Sequence, residues 1–123
     1  MAQILLIEDN VPNMKLAAIL LESAGHQVLQ AYNAEIGIRL AHEKRPDLIL
    51  MDIDLPGMDG LTATRLLKSD EQTRRLKIVA MSAFALDGSH DVIRKAGCDD
   101  HIGKPIKVKE FMRTVKVVLA RRN

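Results

Sequence analysis

The sequence is poor in the residue types that would point to several common functions. It has no tryptophan, one tyrosine, two phenylalanines and a single cysteine among its 123 residues. So few aromatic side chains leave no platform for stacking nucleic-acid bases, and no recognition helix is visible. Cys98 has no partner for a disulfide within the chain, which fits a reducing compartment. The core must therefore be built from Leu, Ile, Val, Ala and Met.

A strong charge of one sign and a long apolar run are missing as well. The net charge is only +2, which is too small to indicate a polyanionic partner. The C-terminal stretch is locally basic, and a solvated helix face explains most such runs. A basic leader and a membrane-length apolar segment are both absent from the sequence. We therefore expect a cytoplasmic protein with no nucleic-acid partner and no membrane association.

Short apolar runs predict the strands of a parallel sheet. The runs are continuous rather than alternating, as expected for strands that are covered on both faces. Amphipathic patterns with a period near 3.6 residues predict helices between them. The predicted strands are Ile4–Ile7, Val28–Ala31, Leu48–Met51, Ile78–Met81 and His101–Ile102. The predicted helices are Pro12–Ser23, Ala34–Lys44, Gly60–Lys68, Asp91–Ala96 and Lys109–Arg121.

This order is a strand followed by a helix, five times over. Parallel strands need crossover helices, and these crossovers are right-handed in nearly all known cases. The pattern predicts an α/β fold of the flavodoxin-like, doubly wound (βα)5 type, with a five-stranded parallel sheet of order 2-1-3-4-5. We expect one domain over residues 1–123 and no output domain.

Charged and hydroxyl side chains follow the predicted strands. Ligands of such sheets bind beyond the carboxyl ends of the strands. Glu8 and Asp9 follow the first strand, Asp52 the third, Ser82 the fourth, and Lys104 the fifth. These are the groups that a phosphoryl-transfer site requires, so the sequence predicts such a site at this edge.

The chemistry of these groups can be assigned from their types. Clustered carboxylates repel one another unless protons or a cation compensate, and Mg²⁺ favours hard oxygen ligands and leaves room for phosphate. Asp52, delivered by a buried strand, can act as a nucleophile on phosphorus and form an acyl phosphate. The Lys104 ammonium, the Ser82 hydroxyl and the Ala83 N–H can stabilise the phosphoryl oxygens.

The motifs around these residues resemble the receiver domain of bacterial two-component response regulators. The resemblance covers essentially the whole chain, and it is strongest for stand-alone regulators, either of the DivK type or of the type that serve as phosphorelay and chemotaxis intermediates. Its pieces are Ile7-Glu8-Asp9-Asn10, Asp47-Leu48-Ile49-Leu50-Met51-Asp52, Leu55-Pro56-Gly57-Met58-Asp59-Gly60, Met81-Ser82-Ala83 and Lys104-Pro105.

The resemblance implies a phosphoacceptor and a metal site. Asp52 would accept the phosphoryl group. Mg²⁺, or Mn²⁺, would be bound by Asp9, Asp52 and the backbone carbonyl of Asp54, with Glu8 acting through water. Lys104 would contact the phosphoryl group, and the Lys104–Pro105 bond would be cis.

The resemblance also implies a switch. Ser82 would be the hydroxyl switch residue, and His101 stands where the family usually has Tyr or Phe. His101 is either an ordinary, partly exposed strand-end histidine or a side chain that swings inward when Ser82 moves. In the second case the coupling is polar and depends on pH. We also expect Phe84 to shield the acyl phosphate from water.

The expected partners are proteins. A sensor histidine kinase or a histidine phosphotransfer protein would dock on the first helix and on the loop after the fifth strand. A downstream protein target would read the phosphorylated state. The predicted docking residues are Asn10, Asn13, Met14, Ala17, Pro105 and Ile106, although Met14 and Ala17 fit a core position equally well. A receiver module from a hybrid kinase is an alternative source of the chain.

Two other functions fit parts of the pattern. Asp52-Ile53-Asp54 is similar to the paired aspartates of haloacid-dehalogenase-like phosphatases, although those enzymes place the motif on their first strand. A flavodoxin-like cofactor binder would share the fold, but Glu8 and Asp9 would repel a cofactor phosphate.

Overall fold

The computed structural model describes residues 1–83 and 89–121. It contains strands β1 to β5 and helices α1 to α5 in strict alternation. The strands are β1 Gln3–Ile7, β2 Gln27–Ala31, β3 Leu48–Asp52, β4 Ile78–Ser82 and β5 Asp100–Gly103. The helices are α1 Val11–Ser23, α2 Ala34–Lys44, α3 Gly60–Ser69, α4 Ser89–Ala96 and α5 Val108–Ala120.

The five strands form one parallel sheet in the order β2-β1-β3-β4-β5. This confirms the predicted fold class and strand order. Chain order reverses at β1, because the chain goes first to the outer strand β2 and then returns to β3 on the other side of β1. The crevice above β1 and β3 is therefore the expected ligand position.

Alternate residues of the strands supply two separate apolar cores. In β1, Ile4 and Leu6 face one side, where they join Met14 of α1 and Phe111 of α5. Leu5 and Ile7 face the other core, which α2, α3 and α4 cover. All five residues of β3 and of β4 are buried. This explains why these runs are continuously apolar up to their last residue.

Side chains just before three helices determine where those helices begin. Asn10 accepts a hydrogen bond from Asn13 N at 2.9 Å, and Asn33 accepts one from Ile36 N at 2.8 Å. Asp59 accepts one from Thr62 N at 2.8 Å, at the start of α3. These side chains satisfy amide groups that have no partner in the first turn of a helix. The helices therefore begin beside the carboxyl ends of the strands, where the predicted site residues lie.

The predicted boundaries differ from the observed ones by at most two residues, and those of α2 are identical. Asp52 and Ser82 are the last residues of β3 and β4 rather than the residues that follow them. The helix predicted to start at Asp91 already begins at Ser89. Within residues 1–83 and 89–121, no helix is both long and apolar enough to cross a membrane.

Candidate functional site

The register of the sheet brings the predicted site residues to one edge. Ile7 pairs with Met51, so the residues that follow them, Glu8 and Asp52, lie at the same level. On the other side of β3, Asp52 itself pairs with Met81 of β4. Ser82, the next residue, pairs with Gly103 of β5, directly before Lys104. Backbone hydrogen bonds extend this alignment into the loops, since Lys104 N donates to Ser82 O at 3.0 Å.

Three carboxylates form a compact cluster at this edge. Glu8, Asp9 and Asp52 each place one oxygen within 4.8 Å of the others. Glu8 and Asp52 are each 1% exposed, whereas Asp9 is exposed to solvent. Like charges at this distance are unfavourable unless a proton or a cation compensates. The cluster thus has two inner acids and one outer acid around a common centre.

Asp52 is held in one orientation by two donors. Lys104 Nζ lies 2.8 Å from Asp52 Oδ1, and the backbone N–H of Asp54 donates to the same oxygen at 2.9 Å. Burial alone would raise the pKa of Asp52. Hydrogen bonding with Glu8, Lys104 and Asp54 outweighs burial and lowers the pKa below its ordinary value. Asp52 is therefore a carboxylate at neutral pH.

The pKa of Glu8 is shifted in the opposite direction to that of Asp52. Its burial, together with the adjacent Asp52 carboxylate, raises the pKa of Glu8 to about 8. Glu8 Oε2 is buried and has no hydrogen-bond partner among the described residues. A buried oxygen without a partner is costly, and a hydrated cation would satisfy it. The residues present therefore fit a divalent cation with oxygen ligands.

Lys104 connects the acid cluster to β5. Burial acts to lower the pKa of Lys104, but the carboxylates of Asp52, Glu8 and Asp54 outweigh it and raise the pKa. Lys104 Nζ also lies 3.7 Å from Asp54 Oδ2, and the Ala83 N–H points at the same oxygen from 3.4 Å. The Lys104–Pro105 peptide bond is cis. The lysine thus remains a cation beside the site.

Ser82 and His101 line one cavity of about 320 Å³, which also reaches Lys104 and α5. Ser82 is fully buried at the end of β4. His101 is 30% exposed, with Nδ1 4.0 Å from the Asp100 carboxylate. The two residues predicted to form a switch therefore share an open space. Phe84, which was expected to shield the acyl phosphate, lies outside the described residues.

The predicted docking residues do not all reach the surface. Asn10 and Pro105 are exposed, and Asn13 and Ile106 are half-buried. Met14 has no exposed surface and belongs to the core between the sheet, α1 and α5, as does Ala17. Of the two alternatives given for Met14 and Ala17, the core position is the one observed, because the apolar stripe is the buried face of α1.

Gly60 contributes to this edge in a way that sequence reasoning missed. A side chain at Gly60 would overlap the backbone of Asp52 and Ile53. The only signal in the sequence was its place in the Leu55–Gly60 motif, because a close approach between backbones leaves no periodic or chemical pattern.

Comparison with known proteins identifies the class. Residues 4–116 match the family model described as the response regulator receiver domain, and the chain belongs to this family. It is 43% identical over 116 residues to the polar-differentiation response regulator DivK of Brucella anthropi, covering 94% of each protein. The same regulator of Brucella ovis is 42% identical over 116 residues, again with 94% of each protein covered.

Solved structures agree with this assignment. The receiver domain of a Pseudomonas aeruginosa sensor histidine kinase has a magnesium ion coordinated in its active site cleft. It is 36% identical to this chain, with a TM-score of 0.89 over 98% of both chains. A response regulator of Chloroflexus aurantiacus described as putative superimposes with a TM-score of 0.91 at 28% identity, again over 98% of both.

The protein is thus the receiver domain of a two-component response regulator, a homologue of DivK with a phosphoacceptor signalling role. The family resemblance drawn from the sequence motifs is confirmed. The phosphatase and cofactor-binding alternatives are set aside, because the family match spans nearly the whole chain.

Proposed function

We propose that Asp52 is the phosphoacceptor of this receiver. In this proposal a sensor histidine kinase or a histidine phosphotransfer protein supplies the phosphoryl group, and Mg²⁺ is required. The phosphorylated chain then signals by binding a downstream protein. The observation that carries the proposal is the Asp52 carboxylate itself, which is 1% exposed, ionised, and held by Lys104 2.8 Å away at the carboxyl edge of the sheet.

The transfer is a displacement at phosphorus. An oxygen of the Asp52 carboxylate forms a bond to phosphorus while the phosphorus–nitrogen bond of the donor phosphohistidine breaks. The electron pair of that bond remains on the imidazole nitrogen. Little covalent work is left to the protein, so positioning and charge neutralisation supply most of the catalysis. The chain is therefore a substrate that assists its own phosphorylation and dephosphorylation rather than a turnover enzyme.

The acid cluster provides a place for the cation. Asp9, Asp52 and the backbone carbonyl of Asp54 would hold Mg²⁺, and Glu8 would act through water. Mn²⁺ suits the same oxygen ligands. A bound divalent cation supplies positive charge to the oxygens of the transferring group. The orphaned Glu8 Oε2 supports this assignment, as does the acidic character of the three side chains that converge there.

Lys104 and the end of β4 form the other side of the site. Lys104 is a cation at neutral pH and now contacts Asp52 and Asp54. After transfer it would pair with a phosphoryl oxygen next to Asp52. The Ser82 hydroxyl at the end of β4 and the N–H of the next residue, Ala83, lie on the same edge and would donate to a further oxygen.

Phosphorylation would act as a switch through Ser82 and His101. An acyl phosphate adds close to two negative charges and three acceptor oxygens. Ser82 would move toward it, and His101 would occupy the cavity that they share. This is a shift between two pre-existing states, limited by how much better one of them binds the phosphoryl group.

Because Met14 is buried, we leave it out of the proposed kinase-docking surface. We place this surface on Asn10 and Asn13 at the start of α1 and on Pro105 and Ile106 after β5, next to the acid cluster.

Stoichiometry and metal dependence test the proposed function. The protein is incubated with phosphoramidate and Mg²⁺, and the intact mass is followed over time. We expect one phosphoryl group per chain and no labelling with excess EDTA. Continuous release of phosphate with turnover, or equal labelling without a divalent cation, would contradict the proposal.

A further inference from the structure

The first residue of α3 packs against the peptide that carries Asp52. Gly60 is buried, and a Cβ built on it would lie 2.3 Å from the carbonyl oxygen of Asp52 and 2.6 Å from Cα of Ile53. Both of these atoms belong to the backbone, so rotation of a side chain would not relieve the overlap. Only glycine lets α3 approach the end of β3 this closely.

This contact matters because the loop between Asp52 and Gly60 carries groups of the site. The Asp54 N–H donates to Asp52 Oδ1 at 2.9 Å. The loop ends at Asp59, whose side chain accepts a hydrogen bond from Thr62 N at 2.8 Å and so caps α3. The loop is therefore anchored on β3 at one end and on α3 at the other. A change in the separation of β3 and α3 would move the Asp52 carboxylate and the Asp54 carbonyl relative to each other.

A buried hydroxyl of the same helix contacts the backbone carbonyl of Gly60. Thr64 is fully buried, and its Oγ1 donates to Gly60 O at 2.8 Å. Thr73 lies beyond the other end of α3, and its Oγ1 donates to Leu67 O of the helix at 2.6 Å. Thr73 is also fully buried. Each threonine thus places a buried hydroxyl on a backbone carbonyl of α3, and Thr64, which also accepts from Cys98 Sγ at 3.9 Å, does so at Gly60 itself.

We propose that Gly60 is a positioning residue for the acid cluster. Its missing side chain sets the separation of α3 from β3, and thereby the aim of the Asp52 carboxylate and the Asp54 carbonyl toward a divalent cation and a phosphoryl group. The proposal rests on the function proposed above. Gly60 touches neither the cation nor the phosphoryl group, so its role is geometric.

The test compares Gly60→Ala with Gly37→Ala. A Cβ at Gly37 would lie 2.4 Å from Ile7 Cδ1 and 2.7 Å from Ile7 Cγ1, so it overlaps a side chain and not the backbone that carries Asp52. For each variant the Mg²⁺ dissociation constant is measured by calorimetry, and the rate of phosphoryl uptake from phosphoramidate by intact mass. We expect Gly60→Ala to bind Mg²⁺ and to take up the phosphoryl group at least about tenfold less well. Gly37→Ala should match the wild type.

A folded Gly60→Ala protein with the wild-type Mg²⁺ affinity and uptake rate would overturn the positioning role. Failure of the wild type to take up a phosphoryl group would instead refute the proposed function, before any variant is compared. The two failures are therefore distinguishable.

If circular dichroism shows that Gly60→Ala does not fold, a second pair of variants tests the positioning role. Thr64→Val and Thr73→Val each remove one buried hydroxyl and preserve shape. We expect similar losses of thermal stability from both. Only Thr64→Val should weaken Mg²⁺ binding, by about threefold, as expected from the loss of one hydrogen bond. Equal Mg²⁺ affinities in the two variants would overturn the proposal.

Discussion

At the scale of single residues, the charge of Lys104 is the feature on which the site depends most. Its ammonium lies 2.8 Å from Asp52, and the Lys104 side chain is only 17% exposed. In such a sheltered position a fixed cation opposite developing negative charge is far more effective than it would be in water.

We predict that Lys104→Gln slows phosphoryl uptake from phosphoramidate by about 100-fold, because the amide retains a hydrogen-bond donor but loses the charge. Uptake is followed by intact mass at saturating Mg²⁺. Lys107→Gln is the matched control, since Lys107 is exposed and three residues further along the chain. Equal rates for the two variants would show that Lys104 does not act on the phosphoryl group.

The residue types of the site were predictable, but their surroundings were not. Asp52 and Lys104 could be identified because few other side chains suit phosphoryl transfer, and because strand order determines which strand ends are neighbours. Met14 could not be placed, since a core-facing stripe and a docking stripe have the same period on a helix. The role of Gly60 could not be predicted from residue types, because it consists of the absence of a side chain beside the backbone of Asp52 and Ile53.

At the scale of the elements, the helix caps position the loops of the site without taking part in its chemistry. Asn33, before α2, has extended backbone angles and accepts from Ile36 N at 2.8 Å. Asn33 lies outside the acid cluster, so a substitution there should change the stability of α2 without changing the chemistry of the site.

We predict that Asn33→Ala lowers the free energy of unfolding by about 1 kcal/mol, measured by urea denaturation, and leaves phosphoryl uptake unchanged. Asn33→Asp retains a capping oxygen and should stay close to the wild type. A loss of uptake in Asn33→Ala at full stability would contradict the assignment of Asn33 as a purely structural cap.

Element order and type followed directly from the sequence, whereas element ends did not. Long buried runs such as Ile78–Ser82 leave little freedom of interpretation. The strand predicted at His101–Ile102 is extended at both ends by pairing with β4, with Asp100 opposite Val79 and Gly103 opposite Ser82. Such extensions depend on a partner strand that is distant in sequence, and a local pattern does not contain that information.

At the scale of the whole molecule, Glu8, one of the two buried acids of the cluster, links folding to pH. The pKa of Glu8 is raised to about 8 in the folded protein. Between its ordinary pKa and pH 8, Glu8 is therefore protonated in the folded chain and ionised in the unfolded chain, so folding takes up a proton. The stabilisation that results is complete at low pH and is lost as pH rises through 8. Asp52 titrates below this window, while Cys98 and Lys104, with raised pKa values, titrate above it.

We predict that the midpoint temperature of thermal unfolding of the metal-free protein decreases as the pH is raised from 5 to about 8. Mg²⁺ should stabilise the protein progressively more over the same range, because the cation competes with the Glu8 proton. Scanning calorimetry with EDTA or Mg²⁺ measures both trends. Glu8→Gln carries no titrating proton at this position and should flatten them. An unchanged pH dependence in Glu8→Gln would exclude Glu8 as the group responsible.

The most direct test of the central claim locates the phosphoryl group on the chain. After labelling with phosphoramidate and Mg²⁺, the acyl phosphate is reduced with borohydride and the modified residue is identified by peptide mass spectrometry. The account predicts modification at Asp52 alone in the wild type, and none in folded Asp52→Asn. Modification at Asp9 or Asp54 in the wild type, or undiminished labelling of Asp52→Asn, would contradict it.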